Sequence, residues 1–63
     1  MFDIEDRVHT IYNDKIHPGI IKAKDFIHSD DSGWYEYLVA EDSGRMYWCC
    51  DYELFSYYPE IIN

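Results

Sequence analysis

The stretch WYEYLVAEDSGRMYWCC, residues 34–50, decides the fold that this sequence predicts. Residues 34–40 alternate with a period of two, which is the spacing of a β-strand whose two faces differ. "EDSG" at 41–44 predicts a tight connection in which Gly44 is free to take a positive backbone angle. The strand at 45–50 then pairs back onto its predecessor, so we expect an antiparallel hairpin.

The alternation also assigns side chains to the two faces of this hairpin. Tyr35, Tyr37 and Val39 share one face of the first strand, and Tyr47 and Cys49 share one face of the second. The opposite faces carry Trp34, Glu36 and Leu38 on the first strand and Met46, Trp48 and Cys50 on the second.

Two further strands are expected before the hairpin. "RVHTIY" at 7–12 is rich in β-branched and aromatic residues, and it ends at Asn13 and Asp14, which favour a turn. "HPG" at 17–19 predicts a second turn, after which residues 20–27 alternate again. In that run we expect the set with two lysines to form the wetter face, namely Ile20, Lys22, Lys24 and Phe26.

The segment after the hairpin predicts a helical turn and a last edge strand. "DYELF" at 51–55 indicates a single helical turn, with Asp51 as its N-cap and Leu54 in the core. The last run supplies an edge strand only as far as Tyr58, because Pro59 lacks the donor that a central strand needs. We therefore expect an all-β fold of about five antiparallel strands with one short helical turn near the C-terminus.

Length and composition predict one small folded domain. The 63 residues form a single domain, 1–63, with its core at about residues 5–57. A hydrophobic fraction of 48% and an aromatic fraction of 19% argue against intrinsic disorder. No run approaches the roughly 18 apolar residues of a membrane span, so we expect a cytoplasmic protein without membrane association. An unpaired edge near residues 55–58 leaves both a monomer and a weak dimer open.

The net negative charge of the chain disfavours nucleic acid as a partner and favours a basic protein. Thirteen acidic residues against five basic ones give a net charge of -8. Direct binding to nucleic acid needs clustered Lys or Arg against the phosphates, and the five basic residues are scattered. A basic protein partner is electrostatically favoured, although the same charge also serves solubility.

The adjacent cysteines predict core packing and not chemistry. In an extended strand Cys49 and Cys50 point to opposite faces, and their Cα atoms lie about 3.8 Å apart, too close for an ordinary disulfide. The histidines, His9, His17 and His28, show no spacing typical of a zinc site or a catalytic base. We therefore predict no metal, no cofactor, no catalytic residue and no enzymatic activity.

The order of short motifs resembles the SH3-like small β-barrels, the group that includes Tudor and KOW-type modules. It is also similar to that of small uncharacterised proteins of this fold from bacteriophages of Gram-positive hosts. The resemblance implies one SH3-like barrel that binds and does not catalyse, and aligning its ending places Tyr47 and Cys49 inward. The matching motifs are "DRV" at 6–8, "PGII" at 18–21, "YLV" at 37–39, "DSGR" at 42–45 and "DYEL" at 51–54.

These observations predict a non-enzymatic protein-binding module, a phage-encoded modulator of a host protein. Trp34 and Trp48 lie on the two strands of the hairpin, where they are expected to stand near each other, and exposed tryptophans anchor many interfaces. Two alternatives stay open: an acidic mimic that blocks a nucleic-acid-binding protein, and a peptide reader with a Tudor-like aromatic cage. The expected contact residues are the aromatics and their rim of carboxylates: Trp34, Trp48, Tyr35, Tyr52, Glu36 and Asp51.

Overall fold

The computed structural model describes residues 1–60 and shows an all-β protein. Its strands form one open antiparallel sheet in the order β1-β2-β3-β4, so each strand pairs with its neighbour in sequence. A 3-10 turn, Asp51–Glu53, follows β4. The strands are β1 (Arg7–Tyr12), β2 (Lys15–His28), β3 (Gly33–Glu41) and β4 (Met46–Cys50).

Both turns predicted from glycine, asparagine and aspartate are confirmed. Asn13 and Asp14 connect β1 to β2 with φ angles of 52° and 60°, the left-handed pair that a two-residue hairpin turn requires. Gly44 has a φ of 105°, and its N–H donates to the Glu41 carbonyl at 2.9 Å. These residue types adopt positive φ at least cost, which explains why the connections fall where the sequence placed them.

The turn predicted at residues 17–19 is wrong, because β2 runs through them without interruption. Pro18 lies opposite His9 of β1. The N–H and C=O of His9 bond to Phe55 on the other side of β1, at 2.8 and 2.9 Å. His9 and Pro18 are therefore not a hydrogen-bonded pair, and the missing donor of Pro18 removes no bond between β1 and β2.

A β-bulge in β2 divides the expected wetter set between the two faces of the sheet, although its members Lys22, Lys24 and Phe26 are exposed as expected. The register shifts between Ile21 and Ala23, so that Lys22 is the extra residue. Beyond the bulge Lys24 lies opposite Tyr37, whose side chain is buried. One added residue moves the following side chains to the other face, so Lys24 and Phe26 lie on the core side and not with Ile20 and Lys22.

The core lies on one face of the sheet and under the 3-10 turn. Tyr47 and Cys49 pack against it, as expected, and Leu54 is buried as predicted. The N-cap of the turn is Cys50, not Asp51, and the Cys50 N–H donates to Glu53 Oε1 at 2.9 Å. The buried apolar residues are Val8, Ile21, Tyr37, Val39 and Leu54.

The expected closing strand reduces, within residues 1–60, to one pair of residues. Phe55 bridges to His9 in antiparallel sense, and the chain from there to Tyr58 adds no further pair. Pro59 is nevertheless buried. The last three positions of the predicted domain, 61–63, lie outside the described residues. No helix in the described part is long and apolar enough to cross a membrane.

Candidate functional site

The face of the sheet opposite the core carries a band of exposed apolar and acidic side chains, which we call the outer face. Its rows follow from the strand register, because residues paired across strands share a face. Met46 and Trp48 are 58% and 51% exposed, and Trp34 is 40% exposed. From one end to the other the rows are Ile20, Ala40 and Met46; Ala23, Leu38 and Trp48; Asp25, Glu36 and Cys50; Ile27 and Trp34.

The two tryptophans share the outer face but do not pair with each other. Trp48 lies opposite Leu38, whereas Trp34 lies opposite Ile27. Because Leu38 and Trp34 are four residues apart on β3, roughly 13 Å separates the two tryptophan positions along the sheet. The site is therefore two apolar areas on either side of an acidic row.

That acidic row places like charges directly opposite each other. Asp25 of β2 pairs with Glu36 of β3, an arrangement that destabilises a sheet. Trp34 Nε1 donates to Glu36 Oε2 at 3.2 Å, but the ion pairs found within residues 1–60 include neither carboxylate. The row is therefore open to a cation supplied from outside.

The other predicted contact residues divide between two places. Tyr35 lies on the core side, with its ring 4.9 Å from that of Phe26, so it is separated from the tryptophans. Asp51 and Tyr52 follow Cys50 directly, at the β4 end of the acidic row. Both are exposed, Tyr52 by 80%. Of the six, the structure thus brings Trp34, Glu36 and Trp48 to one face, and Asp51 and Tyr52 to its border.

A second cluster surrounds Glu41, the first residue of the tight connection predicted at 41–44. Its side chain is 2% exposed, and Oε2 accepts the Tyr47 hydroxyl at 2.7 Å while Oε1 accepts Ser43 Oγ at 3.1 Å. His17 Nδ1 lies 3.9 Å from the carboxylate. Glu41 is the next step of the alternation Tyr35, Tyr37, Val39, so extending that pattern by one residue would have predicted its burial.

Contacts within this cluster determine the protonation states of Glu41 and Tyr47. Burial opposes ionisation of Glu41, but the hydrogen bonds from Tyr47 and Ser43 and the nearby charges of Arg45 and His17 outweigh it, so the pKa of Glu41 is lowered. Burial, opposed by a hydrogen bond from Thr10 and helped by Glu41, raises the pKa of Tyr47 to about 12. At neutral pH a charged carboxylate therefore accepts from a neutral phenol.

Beside this cluster a cleft opens between β1 and β4. Its volume is about 220 Å³. The guanidinium of Arg45 lies over the rings of Tyr12 and Tyr47, at 5.1 and 5.5 Å from their centroids. We call this the β1–β4 cleft, and its lining includes Ile11, Tyr12, Glu41, Tyr47, Trp48 and Glu53.

The cysteines offer no activated thiol. Both are free, and burial, with Glu53, Cys50 and Glu36 nearby, raises the pKa of Cys49 to about 12. The pKa of Cys50 is raised as well, by desolvation and by Glu36, Glu53 and Asp51. Both thiols are protonated at neutral pH, the form that neither attacks nor binds a metal. Within residues 1–60 no group of three or more potential metal ligands comes together.

Comparison with protein-family models, with curated proteins and with solved structures finds no match to this chain.

Proposed function

We propose that this protein is a binding module of the SH3-like type, which takes a basic segment of another protein on its outer face. Three features support the barrel arrangement. The strands follow one another in sequence order, a 3-10 turn follows β4, and the His9 to Phe55 bridge returns the chain to β1. A barrel of this type would close along the edge of β1 that this bridge occupies.

The observation that carries the function is the composition of the outer face. Two tryptophans and Met46 are exposed there beside an unneutralised pair of carboxylates. A tryptophan that becomes fully buried at an interface removes a large apolar area, worth about 2 kcal/mol or more. Tryptophans are also over-represented among the residues that dominate binding energy. The apolar areas therefore supply most of the affinity in this proposal, and the acidic row adds affinity that selects a basic partner.

The charge of the face defines the chemistry of the partner. A Lys or Arg side chain placed between Asp25 and Glu36 would relieve their repulsion and gain two charge-assisted hydrogen bonds. The net charge of -8 steers such a partner toward the protein at a distance. The resemblance to phage proteins directs the search for this partner to a Gram-positive bacterial host.

Affinity capture followed by titration tests the proposal. The immobilised protein is used to isolate a partner from a Gram-positive lysate, and the purified partner is then titrated calorimetrically against wild type, Trp34→Ala and Trp48→Ala. Each substitution is expected to weaken binding at least tenfold, which corresponds to about 1.4 kcal/mol. Tyr57→Ala, which changes an exposed aromatic outside the outer face, is the matched control and should bind as wild type does.

The same titration at rising salt separates this function from acidic mimicry. An interface anchored by tryptophans keeps its apolar contribution as ionic strength rises and loses only the contribution of the acidic row, whereas a mimic of nucleic-acid phosphates loses most of its affinity. Steep salt dependence together with unchanged binding by both tryptophan variants would reject the proposal and favour the mimic. The peptide-reader alternative ranks behind both, because the chain's own Arg45 already covers the Tyr12 and Tyr47 rings.

A further inference from the structure

β4 is the last strand of the sheet and has an unpaired outer edge within residues 1–60. The Glu41 N–H donates to the Arg45 carbonyl at 2.7 Å, so this position is a hydrogen-bonded pair. Hydrogen-bonded and non-hydrogen-bonded pairs alternate along an antiparallel ladder. Met46, Trp48 and Cys50 are at non-hydrogen-bonded positions, so their N–H and C=O groups point away from β3 and toward the open edge. The bond from the Cys50 N–H to Glu53 agrees with this direction.

The edge lacks the features that usually protect such strands. Proteins place Lys or Pro on an exposed edge, or bend it away with a bulge. The sequence of β4, MYWCC, contains neither residue type, and its pairing with β3 is regular. Glu53 covers the N–H of Cys50, but along this edge the N–H and C=O of Met46 and Trp48 have no partner in the described part of the chain.

The open edge borders the β1–β4 cleft, on whose far side lies β1. The N–H and C=O of His9 point away from β2, toward Phe55. Ile11 is two residues further along β1, so its N–H and C=O also point away from β2. The β1–β4 cleft of about 220 Å³ is lined by both Ile11 and Trp48. Unpaired backbone groups therefore border the cleft on both sides.

The charges around the cleft select a basic occupant. Its lining contains two carboxylates and one guanidinium, that of Arg45; Glu41 is buried and hydrogen-bonded, and Glu53 is the carboxylate exposed to an occupant. The lowered pKa of Glu41 keeps that carboxylate charged at neutral pH. A second copy of this chain would bring a further net charge of -8, which disfavours edge-to-edge pairing of two copies.

We propose that the β4 edge accepts an extended, basic segment of a partner protein as an added strand, seated in the β1–β4 cleft. Main-chain hydrogen bonds to Met46 and Trp48 would give the affinity, and a Lys or Arg side chain near Glu53 would give the selectivity. The proposal does not rest on the function assigned to the outer face, because it uses backbone groups of the edge.

A synthetic peptide tests this directly. The probe is an eight-residue peptide that alternates lysine with valine and is capped at both ends; its binding is followed by calorimetry and by amide hydrogen exchange. Wild type is expected to bind it with slower exchange at Met46 and Trp48. Met46→Pro removes an edge N–H and should weaken binding at least tenfold, whereas Met46→Ala keeps that N–H and should stay within threefold of wild type.

Two further peptides keep the test decisive if Met46→Pro does not fold. The same peptide with every backbone nitrogen methylated cannot donate main-chain hydrogen bonds and should bind wild type at least tenfold more weakly, and a glutamate-valine peptide should also bind more weakly. Equal binding by Met46→Pro, by the methylated peptide or by the glutamate peptide overturns the proposal. So does a failure of the lysine-valine peptide to bind, or a dimer that protects Met46 and Trp48 without any peptide.

Discussion

At the scale of single residues, Glu41 is the side chain whose charge contributes most clearly to the fold. It is buried, and it accepts hydrogen bonds from Tyr47 and Ser43. Because the pKa of Glu41 in the folded protein lies below its ordinary value of 4.5, folding favours the ionised form. This contribution to stability is complete above the unfolded pKa and is lost as the pH falls through the folded pKa.

Glu41→Gln is therefore expected to lower the free energy of unfolding by about 2 kcal/mol at pH 7, because hydrogen bonds to a charged group are replaced by neutral ones. Urea unfolding between pH 7 and pH 3 measures the effect. The difference from wild type should shrink as the pH falls from 4.5 through the lower pKa of Glu41 in the folded protein, because only below that pKa is Glu41 neutral in both states. Glu60→Gln, at an exposed position, is the control, and a difference that does not change with pH would contradict this account.

At the scale of elements, the bulge in β2 decides which side chains meet the core. Lys22 is the extra residue. Without it, the side chains from Ile21 to Phe26 would alternate regularly between the two faces of the sheet. The ion pair that Lys22 forms with Glu5 is exposed and contributes little. The bulge therefore accommodates the extra residue and keeps Phe26 on the core side, at a small cost in free energy.

Deletion of Lys22 should consequently be tolerated, with a change of about 1 kcal/mol or less in the free energy of unfolding. Deletion of Asp25, a regular position of the same strand, should be worse by about 1–2 kcal/mol, because it turns Phe26 away from Tyr35. Thermal unfolding of both deletion variants measures the difference. Equal stabilities of the two variants would show that the bulge does not determine which β2 side chains lie on the core side.

The strands and their turns differ in how far the sequence predicts them. β1 and the two tight turns are predicted to the residue, because their signals lie in neighbouring side chains. The bulge and the course of β2 through Pro18 are not, because both depend on residues that β2 faces across the sheet. The outer face is predicted as a set of residues, whereas the spacing of its tryptophans follows only from the register of β3 with β2 and β4.

At the scale of the whole molecule, an excess of negative charge surrounds a thin core. The ion pairs of Arg7, Lys22 and Lys24 are exposed and neutralise only part of it. Asp25 and Glu36 face each other on the outer face, and neither has such a partner among residues 1–60. In the proposed function this repulsion is relieved when a basic segment binds, so the acidic row favours binding at the expense of stability.

The double variant Asp25→Asn, Glu36→Gln tests the central claim most directly. Calorimetric titration with the captured partner is measured beside urea unfolding of the same samples. We expect binding to weaken at least tenfold, while the free energy of unfolding rises by about 0.2–1 kcal/mol because the opposed charges are gone. A variant that binds the partner as tightly as wild type would contradict the assignment of the outer face to a basic partner.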